Sequence, residues 1–567
     1  MKEIFRRLFY RPVLATEILI STLLITLLTL AMPLYAMQIL NRYVSYGFNG
    51  TLITLTMGMF IAILLQFCFR IVRTKMAAVV NQEPNNRLSR EILLIISQAK
   101  NEPLEQFSKP RIQEALNNVH TIQQSYDAQA MTVVLDAPFS MLLIGVIYLL
   151  SPLLAGIALF GILSALFMGW LTLLKSQKHS DTLIKLLSEH RSLNASAVNA
   201  LDTVRGFCAG SFLLEKWVPQ LNNISKYRNL VTNNKELSQT LTMSGSSFTS
   251  VCIYAAGAVL VVRGELSVGA LIGVNILSGR AYQNITRLVQ TNFLLAKAKQ
   301  AFNELSILKR LPLESVTGSA LKTYQGKLEF KDLTFFYPNT SGPVFESLNL
   351  GLEPGNVLAV IGENGTGKTT LAKLITLLLE PRRGNILVDG VNVLQMAPTW
   401  WRKQIIYMPQ EPGFINGSIR ENLLLLNPDL EDAQLNEILR ITDLKTFLDK
   451  TPRGLETPIT NNEKNFPLGI RRRLSLARGL VGNGNLVVLD EPTDAMDKKG
   501  VDAVYAIMNT LARSGKTIIV FSNDPKILKG ASMILNLNKK PIPELTQARM
   551  IPTQPSTSLS SPKMDSL

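Results

Sequence analysis

Asn356 to Thr370 reads NVLAVIGENGTGKTT, and this stretch decides how the second half of the chain folds. VLAVI is a short apolar run rich in β-branched residues, which reads as a buried strand. TTLAKLITLLLE, starting at Thr369, reads as a helix. Between them, Gly362-Glu-Asn-Gly-Thr-Gly367-Lys368-Thr369 has the spacing G-x-x-x-x-G-K-[ST]. Such a turn lets backbone N–H groups converge on phosphate oxygens at a helix start. Lys368 then faces the β and γ phosphates, and Thr369 offers a hydroxyl to Mg²⁺. Glu363, Asn364, Gly365, Thr366 and Thr370 complete the nucleotide-binding candidates.

Further along, NLVVLDEPTDAMD places four apolar residues, Leu486 to Leu489, directly before two acids. A buried strand there delivers Asp490 and Glu491 to the same sheet edge as the phosphate loop. Asp490 is a candidate to hold Mg²⁺ through water, and Glu491 to polarise an attacking water.

The first half reads differently. The chain has 567 residues, 47% of them hydrophobic. Leu14 to Ala36 is apolar for long enough to cross a bilayer. Further stretches of that kind lie near 51–72, 133–150, 153–174, 247–263 and 266–288, the last interrupted by Arg280 and Arg287. Six spans put both termini on one side. Lys and Arg crowd the start and the segments 73–131 and 175–246, while the alternate connections carry only Arg42 and Arg263. By the positive-inside rule both termini, and everything after the sixth span, are cytoplasmic. This topology accounts for the net charge of +16 and argues against nucleic acid as a partner. The two long basic segments read as helical extensions of the spans, reaching roughly 40 Å at about 1.5 Å per residue. Within the spans Pro33, Asp136 and Arg280 stand out. Asp136 is expected to start a helix or, as the alternative, to line a transport pathway, and Arg280 to face a polar cavity or snorkel. Cys68, Cys208 and Cys252 are too scattered for a metal site or disulfide framework.

These residues resemble an ATP-binding cassette exporter. Its architecture is an all-α six-span transmembrane domain followed by an α/β phosphate-loop nucleotide-binding domain. LDAPF at 135–139, YLLSP at 148–152 and ILSGRA at 276–281 are similar to bacterial type I secretion permease/ATPases. The resemblance implies that Tyr337 in FFYP stacks on adenine, unless it is a strand-end core aromatic. It implies that Gln410 touches Mg²⁺ and the attacking water, and that Asp494 to Asp497, DAMD, form the loop usually reading SALD. Little chain precedes the first span, so no leader peptidase is expected.

The chain departs from that family in two places. The signature LSGGQ, which in a dimer cradles the γ-phosphate of the partner's ATP, is here Phe466-Pro467-Leu468-Gly469-Ile470. Pro467 removes a hydroxyl and an N–H, Leu468 adds bulk, and Ile470 cannot hydrogen-bond. Arg471 to Arg473 then read as a solvated basic face, with partial attraction of phosphate as the alternative. The family's γ-phosphate histidine is replaced by Asn523, and no histidine follows His190.

The resemblance implies ATP-driven export of protein or peptide by a half-transporter of the cytoplasmic (inner) membrane, with weakened ATPase sites. The implied cofactors are ATP and Mg²⁺. The implied partners are membrane lipid, a second half (a copy or an intact paralogue), a periplasmic adaptor, an outer-membrane channel and the exported substrate. The alternatives are half of a heterodimeric lipid or small-molecule exporter, and an ATP-binding regulatory scaffold with little turnover. Expected domains are 1–321 (membrane), 322–545 (cassette) and a disordered tail, 546–567, rich in Pro, Ser and Thr.

Overall fold

A computed structural model describes residues 2–47, 49–107, 109–315, 317–338, 342–460 and 466–547. The expected disordered tail falls almost wholly outside them. The chain forms two units, one of residues 1–99 and 103–311, the other of residues 100–102 together with 312 onward.

The first unit is helical throughout. Lys2–Phe9 is a short amphipathic helix that buries Ile4 and Leu8. Its Arg7 is buried too, donating to Asn81 Oδ1 at 3.2 Å and Asn85 Oδ1 at 2.9 Å. The long helices are Asn49–Gln98, Ala128–Leu150, Pro152–Asn199, Gly210–Val262 and Val268–Leu308. The first span is one helical run over Pro12–Tyr43 that ends in a five-residue π-helical turn, Ile39–Tyr43. Along it Thr22, Thr26 and Thr29 return their hydroxyls to carbonyls four residues back, which satisfies them without water.

Five helices among the described residues are long and apolar enough to cross a membrane. Val268–Leu308, the expected sixth span, is a continuous helix but falls outside that set. Asn275, Arg280, Gln283 and Asn284 dilute its apolar run. It nevertheless packs deeply, with Val274, Ala281 and Tyr282 buried. The outer face of the second span leaves Ile53, Met57, Phe60 and Leu64 exposed, a surface suited to lipid or to a partner helix. The expected helical extensions of the spans are present. Asn49–Gln98 continues far beyond its span, and so does Pro152–Asn199.

One expectation needs correction here. Asp136 does not start its helix. Asp127 does, with its carboxylate accepting from the Ala130 amide at 2.7 Å. Asp136 lies more than two turns further in and pairs with Arg73, which is buried. In apolar surroundings an acid without a counter-charge is costly, and Arg73 supplies that charge.

The second unit holds two main sheets. Leu328–Phe335, Phe345–Leu352, Arg383–Val388 and Val391–Asn392 form an antiparallel sheet. The larger sheet has six strands. In spatial order they are Glu544–Gln547, Met533–Asn536, Val357–Ile361, Thr517–Phe521, Leu486–Asp490 and Ile405–Met408. All pair in parallel except the first. Its central strands are buried on both faces, which is why they read as unbroken apolar runs rather than alternating ones. A separate helical core gathers Ile419, Leu423, Leu435, Leu439, Ile470 and Leu474.

Candidate functional site

The parallel register decides what meets at the sheet's carboxyl edge. Phe521 is level with both Asp490 and Val360, and Leu489 is level with Met408. The residues that follow these strands therefore emerge side by side: Gly362, Gln410, Glu491 and Asn523. This is where open α/β sheets bind ligands.

The phosphate loop is built as its glycines predict. Gly365 and Gly367 have φ of +83° and +108°, a region that favours glycine. A Cβ on Gly367 would also sit 2.3 Å from Val344 Cγ1. Gly367 opens the helix Lys368–Ile375. Thr366 donates its hydroxyl to the Glu363 carbonyl at 2.9 Å, and the Glu363 amide donates to Asn538 Oδ1 at 2.8 Å. Asn364 is exposed at the loop's tip, while Thr370 is buried beneath it.

Lys368 is buried, with Nζ 2.7 Å from the Gly362 carbonyl and 3.1 Å from Glu491 Oε1. Gln410 bridges the two halves of the site. Its Oε1 accepts from the Thr369 hydroxyl at 3.3 Å, and its Nε2 donates to Glu491 Oε2 at 3.4 Å. Glu491 holds a left-handed backbone, φ +49°, uncommon for a residue other than glycine. Asp490 is fully buried, and neither carboxylate oxygen has a hydrogen-bond partner among the described residues. Burial pushes its carboxyl up to about 6. The Glu491 charge adds to the shift, while Thr369, Lys368 and Arg472 oppose it. Among the described residues no three His, Cys, Asp or Glu side chains gather as a metal cluster. Two orphaned carboxylate oxygens, a threonine hydroxyl and an amide oxygen nevertheless suit Mg²⁺, which takes few protein ligands and keeps waters.

Tyr337 is half-buried. Its ring packs edge-on against Phe335 at 5.0 Å, and its hydroxyl pairs with that of Thr370 at 3.1 Å. It thus adjoins the loop while belonging in part to the core. Asn523 braces the loop's first glycine, accepting from the Gly362 amide and donating to its carbonyl. The next residue, Asp524, accepts from the Tyr505 hydroxyl and, at 3.3 Å, from Thr493. Burial raises the Asp524 carboxyl, but those bonds and the Lys526 amide outweigh it and leave it below the ordinary value.

The signature positions lie apart from these groups, at the start of the helix Leu468–Val481. Phe466 packs edge-on against Phe447 at 5.8 Å. Pro467 is the N-cap and has no capping side chain. Leu468 is partly exposed, and Ile470 is buried in the helical core.

The solvated basic face expected here is not found. Arg472 and Arg473 are buried. Arg473 pairs with Asp443 at 2.7 Å and Asp497 at 3.2 Å. Arg472 pairs with Asp494 at 3.3 Å and donates to the Glu491 carbonyl at 2.9 Å. Acids and carbonyls distant in sequence hold both guanidiniums inside. Helical spacing carried a signal: Arg472 shares a face with Ser475, Leu476 and Gly479, all buried. Asp494 and Asp497 are therefore tied to their own chain's helix, and Asp497 also caps Lys498–Arg513 through the Gly500 amide at 3.0 Å.

Long membrane helices followed by a phosphate loop, with an acid pair and a glutamine at neighbouring strand ends, define an ATP-hydrolysing membrane exporter. Comparison with known proteins agrees. The ABC transporter transmembrane region matches residues 16–284, and the ABC transporter cassette matches 345–494. The chain belongs to the ABC transporter family; it is an exporter half that binds ATP and couples its hydrolysis to transport. It is 25% identical to the Toxin RTX-I translocation ATP-binding protein of Actinobacillus pleuropneumoniae, over 93% of this chain and 75% of that one. It is 24% identical to the Alpha-hemolysin translocation ATP-binding protein HlyB of Escherichia coli, over 97% and 77%. A bacterial Atm1-family ABC exporter with ATP bound shares the fold, with a TM-score of 0.80 at 17% identity over 93% of both chains.

Proposed function

We propose that the chain is the permease and ATPase half of a type I secretion-like exporter, moving protein or peptide cargo outward across the cytoplasmic membrane. The likeness to toxin translocation proteins over nearly the whole chain supports that cargo class. The basic segments between spans support a cytoplasmic cassette and cytoplasmic termini. The half works with a second half, a copy or an intact paralogue, and with a periplasmic adaptor and an outer-membrane channel.

The observation that carries the ATPase reading is the Lys368–Glu491–Gln410–Thr369 chain of contacts. Lys368 exchanges its pairing with Glu491 for phosphate oxygens when ATP binds. Glu491, so released, accepts a proton from the attacking water, and Gln410 orients that water. Asp490, Thr369 and Gln410 would hold Mg²⁺, whose charge would offset that of the phosphates. Tyr337 stacks on adenine. Phe466 to Ile470 leave the partner's γ-phosphate without the usual serine hydroxyl and the N–H that Pro467 lacks, and Leu468 adds bulk beside the retained Gly469. Asn523 stands where the family's histidine does, so both composite sites are weakened.

The test is ATP hydrolysis by the full chain in lipid. Turnover abolished by Lys368→Ala and by Glu491→Gln is the expected result. Pro467 and Leu468 at the helix start favour a second reading, a nucleotide-gated scaffold that switches shape without turnover. Export unaffected by Glu491→Gln would establish that reading instead.

A further inference from the structure

We infer that Arg472 is a positioning residue of the ATPase site, fixing the direction of the Glu491 carboxylate through its backbone. The inference rests on the reading of Glu491 as the base. Arg472 is 4% exposed and reaches the site from the signature helix. One terminal nitrogen donates to the Glu491 carbonyl at 2.9 Å and also to the Asp494 carbonyl. The other meets Asp494 Oδ2 at 3.3 Å.

The segment it grips needs holding. Glu491 and Ala495 have φ of +49° and +52°, two left-handed residues without glycine's freedom within five positions. The Glu491 amide is fixed on the other side by the Phe521 carbonyl at 2.9 Å. Arg472 thus supplies the second clamp on a residue whose side chain must point at one place. A planar guanidinium suits two carbonyls and a carboxylate at once. Asp494 completes the match. In the loop usually reading SALD the first residue is a neutral serine, whereas the aspartate here gives the buried guanidinium a full counter-charge.

The same helix binds the loop again near its start. A Cβ on Gly469 would come 3.3 Å from the Ala495 carbonyl oxygen, so the helix start and the loop are packed without slack. A displacement at the signature positions is therefore passed by Arg472 to Glu491 of the same chain. Arg473 holds the loop's far end through Asp497 and does not touch Glu491.

The experiment compares wild type, Arg472→Gln, Arg472→Lys and Asp494→Ser as full chains in lipid. It reads kcat and KM for ATP, binding of a fluorescent ATP analogue, and hydrogen exchange of residues 491–497. Arg472→Gln is expected to lower kcat roughly 10- to 100-fold, with KM and nucleotide affinity within about threefold. Arg472→Lys recovers part of the loss. Asp494→Ser, which keeps both carbonyl bonds, loses less. Exchange of 491–497 rises in Arg472→Gln while the rest of the cassette is unchanged. Unchanged kcat, or a fall in kcat matched by loss of nucleotide binding and a general rise in exchange, overturns the inference. Turnover that survives Glu491→Gln overturns the base reading instead, and a different variant reports it. If the wild type does not turn over, exchange decides: equal protection of 491–497 in wild type and Arg472→Gln refutes the clamp.

Discussion

Asn523 and Gly362 exchange a pair of hydrogen bonds. The Gly362 amide donates to Asn523 Oδ1 at 3.1 Å, and Asn523 Nδ2 donates back to the Gly362 carbonyl at 2.9 Å. The side-chain amide thus mimics a strand neighbour and holds the entrance of the phosphate loop. Asn523→Ala removes both bonds at about 1 kcal/mol each, which corresponds to roughly 30-fold weaker ATP binding if the whole loss falls on the bound conformation. Asn523→Asp keeps one acceptor but brings a negative charge near the phosphates, so it weakens binding further. Nucleotide titration of the full chain checks both, and unchanged affinity in Asn523→Ala would remove the bracing role.

The buried Asp490 carboxyl predicts a pH dependence. Its value of about 6 means that it takes up a proton as pH falls through that region. Mg²⁺ needs the ionised form, so Mg²⁺ affinity is expected to fall about tenfold per pH unit below 6 and to level off above 7. The sign for metal-free stability is opposite. The folded chain binds a proton that the unfolded chain, with a carboxyl near its ordinary value, does not. That contribution is fully present below the ordinary value and is lost as pH rises through about 6. Mg²⁺ titrations at several pH values, with Asp490→Asn as the pH-insensitive control, measure the first effect.

Pro467 leaves the helix Leu468–Val481 without a side-chain cap, and Leu468 projects from its first turn. The double substitution Pro467→Ser with Leu468→Gly supplies a capping hydroxyl, worth about 1 kcal/mol, and clears the helix start. In a homodimer it is expected to raise ATP turnover. A turnover rate that does not rise would show that Phe466 to Ile470 do not limit the site.

Arg73 and Asp136 form an ion pair within the membrane unit, with the arginine side chain 9% exposed. Removing one partner strands a charge, so Arg73→Met alone or Asp136→Leu alone is expected to cost about 3–5 kcal/mol. The double substitution recovers much of that. Thermal unfolding in detergent distinguishes the cases, and additive losses would deny the pairing.

The sequence disclosed what depends on local pattern. The phosphate loop, the acid pair after LVVLD and the long helices follow from spacing and periodicity. Each lies within a short window, and each has one cheap way to bury its apolar face. It concealed what depends on distant partners. Arg472 and Arg473 read as solvated because a basic run is cheapest in water, and only the fold brings Asp443, Asp494 and Asp497 around them. Asp136 read as a helix start because acids favour that position, but Asp127 already fills it. Asn523 read as a lost histidine. Its bond to Gly362 is visible only once two parallel strands are side by side.

The strand Thr517–Phe521 lies between Val357–Ile361 and Leu486–Asp490, yet it comes last of the three in the chain. The two arms of the ATP site therefore have no backbone ladder to align on until that strand has left the ribosome. A nascent or prematurely terminated chain ending before Thr517 carries Lys368, Asp490 and Glu491 but lacks the strand that sets them in register.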